Sequence, residues 1–214
     1  MTKVVAIDGP AGAGKSTLAQ AVAEHLGLER LDTGAMYRAV AWFALDHGID
    51  VNDSEAVGET ARRLRIEVGD RVTVDGRDVT DAIRTAAVDK AVSAVAANAD
   101  VRTTLVERQR RWVAERGAGV VEGRDIGTVV LPDADIKIYL TARTRERARR
   151  RATERHDGRS VAEIETDLQR RDRLDSTRAD SPLVSPEDVA NDAHVIDSSG
   201  KSAHQVLREV LACL

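Results

Sequence analysis

The sequence predicts an α/β fold in which a parallel sheet is flanked by helices and interrupted by a small antiparallel insert. Three observations carry this. Short apolar or β-branched runs alternate with helical stretches along most of the chain. A glycine-rich loop joins the first run to the first helix. Between Arg65 and Val79 the texture changes to period-two alternation.

Val4-Val5-Ala6-Ile7 reads as a buried strand, and Lys15 to His25 as a helix with Leu18, Val22 and Leu26 at helical spacing. A second strand is expected before Asp32, and the segment from Asp32 to Arg38 then leads into a helix. Ile66 and Val68, then Val72 and Val74, alternate around breaks at Gly69-Asp70 and Asp75-Gly76, which predicts the antiparallel insert. Further strands are expected at Val120-Val121, at Ile136 to Leu140 and at His194 to Ile196. From Thr141 to Arg178 the chain is charged and helix-prone, with Gly158 near the middle and Ser181-Pro182 and Ser185-Pro186 at the end. That pattern predicts two helices joined by a mobile turn.

With 214 residues, 42% of them hydrophobic, the chain can bury one substantial core, so a single domain with inserts is expected. No run approaches the roughly 20 apolar residues of a membrane span, and a soluble, cytoplasmic protein is expected. Cys213 is the single cysteine, which rules out an internal disulfide framework or a cysteine metal cluster. The net charge is -4, yet 32 Lys and Arg residues are present, with many arginines bunched between Arg143 and Arg178. Local basicity within an acidic chain suits small anionic substrates. With only 2% aromatic residues, the composition argues against binding of long nucleic acids. There is no internal repeat and no linker-like tract, and a monomer is expected because no long apolar heptad seam is visible.

Residues 9–16, GPAGAGKS, fit GxxxxGK[ST] between a predicted strand and a predicted helix. Gly9, Pro10, Ala11, Gly12, Ala13, Gly14, Lys15, Ser16 and Thr17 are therefore expected to cradle nucleotide phosphates. Gly12 and Gly14 let successive backbone N–H groups converge on an anion in front of a helix N-terminus. Lys15 is placed to reach the β- and γ-phosphates, and the Ser16 hydroxyl to join the shell of a phosphate-bound Mg²⁺. A second GKS, Gly200-Lys201-Ser202, lacks the upstream glycine of the pattern and is not expected to hold phosphate.

The loop fixes the donor and leaves the acceptor open. No Asn-Lys pair occurs, which argues against a guanine-nucleotide switch. Asp32, Thr33 and Arg38 suit phosphate contact at a helix start, although residue types alone fit equally well an N-cap with a solvated arginine. Glu122-Gly123-Arg124-Asp125-Ile126-Gly127 falls at the end of a predicted strand, where open α/β sheets place their ligand crevices. Arg143, Arg147, Arg151 and Arg155 recur at steps of four; they could meet phosphates or form a solvated face balanced by Glu146 and Glu154.

Taken in order, GPAGAGKST, DTGAMYR, EGRDIGTVV, PDADIKIYL and RDRLDSTRADSPL resemble the bacterial cytidylate kinases over nearly the whole chain. The resemblance implies a P-loop fold with a five-stranded parallel sheet. It implies a core at about residues 1–64, 86–142 and 172–214, a nucleoside-monophosphate insert at about 65–85 and a lid at about 143–171. It implies that Ser93, Arg102 and Asp125 read the cytosine edge, with Asp125 accepting from the 4-amino group. Arg38 and Arg124 would hold the acceptor phosphate, beside Asp32, Thr33 and Gly123. Arg171, Asp175 and Arg178 would contact its sugar and phosphate; spaced four and three apart, they also fit an ordinary ion pair on one helix face. Thr33 stands where the family often has Ser, and Glu122 where Asp is common.

The activity implied is ATP-dependent phosphorylation of CMP and dCMP. Because the acceptor phosphate has a second pKa of about 6, no general base is needed. Charge on the transferred group is expected to meet Mg²⁺, Lys15, Arg124, Arg147 and Arg151. The competing readings are a kinase for another small acceptor such as UMP or dTMP, and a nucleotide-sensing module without transfer activity.

Overall fold

A strand that pairs on both edges and is covered on both faces is expected to be apolar, and Val4–Asp8 meets that demand up to its last residue: Val5, Ala6 and Ile7 have no exposed surface. This strand, β1, is the centre of a five-stranded sheet in the computed structural model, which describes residues 3–155, 158–178, 182–189 and 192–214. Residues 156 and 157 of the expected lid, and Ser181 of the expected helix stop, lie outside the described residues. On one side β1 runs parallel to β6 (Gly119–Glu122), with Ile7 opposite Glu122; on the other it runs parallel to β7 (Ile136–Thr141), with Val5 opposite Ile136. With β2 (Arg30–Asp32) and β8 (Ala193–Asp197) the order is β2-β6-β1-β7-β8. The parallel sheet expected from the sequence is present.

The chain forms two compact units, one made of Met1–Arg30 and Gly117–Leu214, the other of Leu31–Arg116. In the first, α1 (Lys15–Leu26) starts after Gly14 and stops at Gly27, both glycines in the left-handed region. Its Leu18, Ala19 and Val22 share a core with Val5, Ile7, Ile138 and Leu140 from the sheet and with Val206 and Val210 of α8 (Ala203–Leu211). The charged stretch after β7 forms α6 (Thr144–Arg155) and α7 (Val161–Ser176), with Gly158 between them as expected. A capping box, Ser160 with Glu163, starts α7. Ala148 of α6 and Ile164 and Leu168 of α7 bury a small apolar cluster with Ala11 of the glycine loop. The second GKS also resolves here. Ser202 caps α8 in a capping box with Gln205, and Lys201 pairs with Glu209 at 2.7 Å, so the motif serves a helix start.

The second unit contains α2 (Thr33–Asp46), α3 (Ser54–Arg63), α4 (Ala86–Ala97) and α5 (Ala99–Arg116). Asp32, Asp53 and Thr85 cap α2, α3 and α4 through their side chains. The expected antiparallel insert is a three-stranded sheet of β3 (Ile66–Val68), β4 (Val72–Val74) and β5 (Arg77–Asp78). Asp75 and Gly76 have φ of 48° and 81°, the positive pair that a tight two-residue hairpin turn requires.

Gly9 shows how closely the glycine loop approaches the sheet. Its φ is +143°, and a Cβ there would lie 2.0 Å from the carbonyl oxygen of Leu140 at the end of β7. Gly9→Ala is expected to lower the unfolding free energy by about 2 kcal/mol or more, read from the urea midpoint. An unchanged midpoint would contradict this packing.

Candidate active site

The glycine loop curls because Gly9, Gly12 and Gly14 take φ of 143°, 75° and 98°, where other side chains are strained. Lys15 is buried, and its ammonium donates to the carbonyl of Pro10 at 2.8 Å. Ser16, the first-turn hydroxyl of α1, donates to the Glu122 carboxylate at 2.9 Å. Glu122 is buried at the C-terminal end of β6, next to the strand that feeds the loop. Sequence reasoning gave Glu122 no role. An acid ending the strand beside the loop strand was the available signal, but the register that brings it to Ser16 is a property of the sheet. Gly123 follows, its N–H bonded to the Ile7 carbonyl at 3.0 Å.

Asp8, the last residue of β1, was also unassigned. Its two oxygens accept the backbone N–H groups of Ile126 at 2.7 Å and Gly127 at 2.8 Å, which pins the π-helical turn Ile126–Val130. Burial drives its pKa up to about 6, against the lowering effect of these N–H groups; nearby Asp125 adds to the rise and Lys15 opposes it. Tyr139, opposite Asp8 in the register of β7, has its phenol pushed up to about 12 by burial and by the Asp8 charge. It stays a neutral donor, bonded to the Val184 carbonyl at 2.7 Å.

A second cluster gathers several predicted substrate residues. The Arg124 guanidinium donates to the Asp175 carboxylate at 3.1 Å, and Arg171 Nε stands 3.9 Å from the same oxygen. Arg178 donates to the Asp175 backbone carbonyl at 3.3 Å, which also accepts from the Leu183 N–H. Burial opposes ionisation of Asp175, but Arg124, Arg171 and Arg178 together outweigh it and hold the carboxyl below the usual range. The helix-face ion pair weighed in the sequence is present between Arg171 and Asp175. Arg124, from the loop that follows β6, and Arg178 widen it into a three-arginine site.

The expected lid arginines separate. Arg147 is buried and fully engaged: it donates to the carbonyls of Ala142 and Ala11, to Thr144, and to both oxygens of Asp172. Arg151 is half-buried on α6, and Arg143 precedes that helix instead of extending its face. In the second unit, Arg38 donates to the Ile83 carbonyl at 3.0 Å and pairs with Asp89. Asp32 caps α2 through the Ala35 N–H, and Thr33 is buried in its first turn. Ser93 on α4 and Arg102 on α5 are buried in this unit, whereas Asp125 is buried in the first.

A parallel sheet whose central strand runs into a glycine loop with Lys and Ser at the following helix start, backed by an acid on the neighbouring strand, defines a P-loop nucleotide-binding fold. A gluconokinase from Sinorhizobium meliloti 1021 shares that fold, with a TM-score of 0.54 at 15% identity over 98% of this chain and 90% of that one. The family model described as Cytidylate kinase matches residues 5–214, and the chain belongs to the cytidylate kinase family. It is 47% identical over 215 residues to "Cytidylate kinase" of Desulfitobacterium hafniense (strain Y51), covering 97% of this chain and 90% of that protein. It is 49% identical over 214 residues to "Bifunctional pantoate ligase/cytidylate kinase" of Synechococcus sp. (strain CC9311), covering 95% of this chain and 42% of that protein. The chain thus spans less than half the length of the bifunctional relatives. Among the described residues, no helix is long and apolar enough to cross a membrane.

Asp8 yields a prediction with a definite sign. Its folded pKa of about 6 lies above the ordinary 3.8, so its contribution to stability is full below about pH 4 and is lost as pH rises through 6. Between pH 4 and 7, the unfolding free energy of the native chain should therefore fall relative to Asp8→Asn by up to roughly 3 kcal/mol. Parallel pH profiles of the two proteins in urea titrations would show that Asp8 does not carry the shift.

Proposed function

We propose that this chain transfers the γ-phosphoryl group of ATP to the 5′-phosphate of CMP and dCMP. The observation that carries the reading is the presence, on one compact unit, of a phosphate loop and of the Arg124–Asp175–Arg171–Arg178 cluster. The first suits the phosphates of a donor, and the second suits the phosphate and sugar hydroxyls of an acceptor.

Lys15 exchanges the Pro10 carbonyl for donor phosphate oxygens, which are stronger acceptors for an ammonium. Ser16 and Glu122 offer hard oxygen ligands 2.9 Å apart, a donor set that fits Mg²⁺ and would hold it directly or through water. Held by these oxygens, Mg²⁺ would supply positive charge to the phosphates being separated. The acceptor phosphate, with a second pKa of about 6, arrives mostly deprotonated, so alignment replaces a general base. Arg124 and Arg38 hold that phosphate, with Asp32 and Thr33 beside it, while Arg151 meets the transferred group. Asp175 accepts from a sugar hydroxyl. Ser93, Arg102 and Asp125 read the base, and Asp125 accepts from the 4-amino group that distinguishes cytosine from uracil. Residues 65–85 act as the acceptor-side insert and 143–171 as the donor-side lid; closure excludes water. The enzyme works in the cytoplasm on free nucleotides, as a monomer.

A coupled ADP-release assay with ATP, Mg²⁺ and CMP, dCMP, UMP, dTMP, AMP, GMP or shikimate tests this directly. Turnover concentrated on CMP and dCMP is expected; turnover confined to other acceptors would overturn the acceptor assignment. Lys15→Ala should lower kcat by about two orders of magnitude or more, with CMP affinity by calorimetry nearly unchanged. Asp125→Asn should shrink the CMP-over-UMP preference, because an amide can turn either its donor or its acceptor to the base. An unchanged ratio removes Asp125 from base reading.

A further inference from the structure

The phosphate loop is held from behind. Arg147 donates to the Ala11 carbonyl at 3.0 Å, and Arg150, one turn further along α6, donates to the Ala13 carbonyl at 3.0 Å. The helix lies close enough that a Cβ on Gly12 would stand 3.3 Å from the Arg147 Cβ, and one on Gly14 3.5 Å from the Arg150 guanidinium. Each arginine is itself braced. Arg147 forks onto Asp172 of α7. Arg150 donates to the hydroxyl of Ser198 at 3.0 Å and to its carbonyl at 2.6 Å. Ser198, just beyond β8, is 2% exposed. Its hydroxyl lies 3.0 Å from both the Ala13 and the Thr141 carbonyls, and its own N–H already serves Thr141 at 2.8 Å. The hydroxyl proton is therefore available to Ala13.

A trans peptide points its C=O and its N–H in opposite directions. The Ala11 carbonyl shares a peptide plane with the Gly12 N–H, and the Ala13 carbonyl with the Gly14 N–H. Gly12 and Gly14 both have positive φ and no side chain, so their own conformational preferences do little to fix these planes. A donor held on the carbonyl fixes where the N–H aims, and a cationic donor polarises the peptide, making that N–H a stronger donor.

We propose that Arg150 with Ser198, and Arg147 with Asp172, are positioning residues for the donor nucleotide: they orient and polarise the two peptides whose Gly12 and Gly14 N–H groups bind its phosphates. The inference rests on the nucleotide-donor reading above and deepens it. It also moves Arg147 from the expected role at the transferred group to one behind the loop.

The phosphates concerned remain on the product, so MgADP binding measured by calorimetry on the full chain reads the effect without turnover. Ser198→Ala removes one donor to Ala13 and should weaken MgADP binding about threefold; Arg150→Met removes the charged donor and should weaken it about tenfold or more. Arg150→Gln, with a neutral amide of lesser reach, should fall between Arg150→Met and the native chain. CMP binding should stay within about twofold throughout. Thermal denaturation checks that the variants fold, and Ser198→Ala carries the test if Arg150→Met does not. MgADP affinity unchanged in Ser198→Ala and in whichever Arg150 variants fold, or CMP affinity falling in step with it, overturns the inference and leaves the donor reading intact. A native chain that binds no MgADP overturns both. If the native chain binds MgADP but does not turn over CMP, the graded losses in the variants still support the inference.

Discussion

A carboxylate at the inner end of a central strand has lost its water and must be solvated by the protein. Asp8 is in that position, and Ile126 and Gly127 supply the two N–H groups that replace the solvent. The bond pattern fixes more than a turn. Arg124 and Asp125 lie immediately before the anchored residues, so the segment that sends Arg124 to Asp175 is held by the strand that opens into the phosphate loop. Lys15 adds its charge to the same neighbourhood. Both halves of the proposed chemistry within this unit thus hang from one buried anion, whose raised pKa reflects how much burial costs it even with two donors in place.

The arginines divide into groups by what they touch. Arg147 and Arg150 face the carbonyl side of the glycine loop. Arg124, Arg171 and Arg178 surround Asp175. Others, such as Arg149 with Glu146 and Arg170 with Asp167, form exposed pairs that contribute little to stability. Spacing in the sequence pointed to steps of four along α6, whereas the pair that reaches the loop is spaced by three. Both spacings lie on one helix face, and only the position of the loop chooses between them.

The parts written in consecutive residues were legible: the glycine loop, the Asp75–Gly76 turn and every strand of the parallel sheet have local signatures. What stayed hidden joins residues far apart. Ser16 meets Glu122 across 106 positions, Asp8 meets Ile126 across 118, and Ser198 meets Ala13 across 185. A single sequence carries no sign of such pairs, because register and crossover order create them. Arg147 illustrates the point, since its charge was plain and its partners were not. The GKS at residues 200–202 was set aside for a missing glycine; its capping box with Gln205 supplies the positive reason for its presence.

The order of the sheet also sets the order in which the chain can become itself. β1 is made before its two neighbours, β6 and β7, whose register with it runs from Gly119 to Tyr139. At about 5–20 residues per second, synthesis needs roughly 7 to 26 seconds to supply the second neighbour. Through that interval one or both of the strands that pair with β1 are still unmade, while the β3–β4 hairpin, with Val68 paired to Val72, has no such delay. Leu140 and α6, against which the glycine loop is shaped, come later still. The glycine loop, made long before the segments that shape it, is therefore completed late as a grip for a nucleotide.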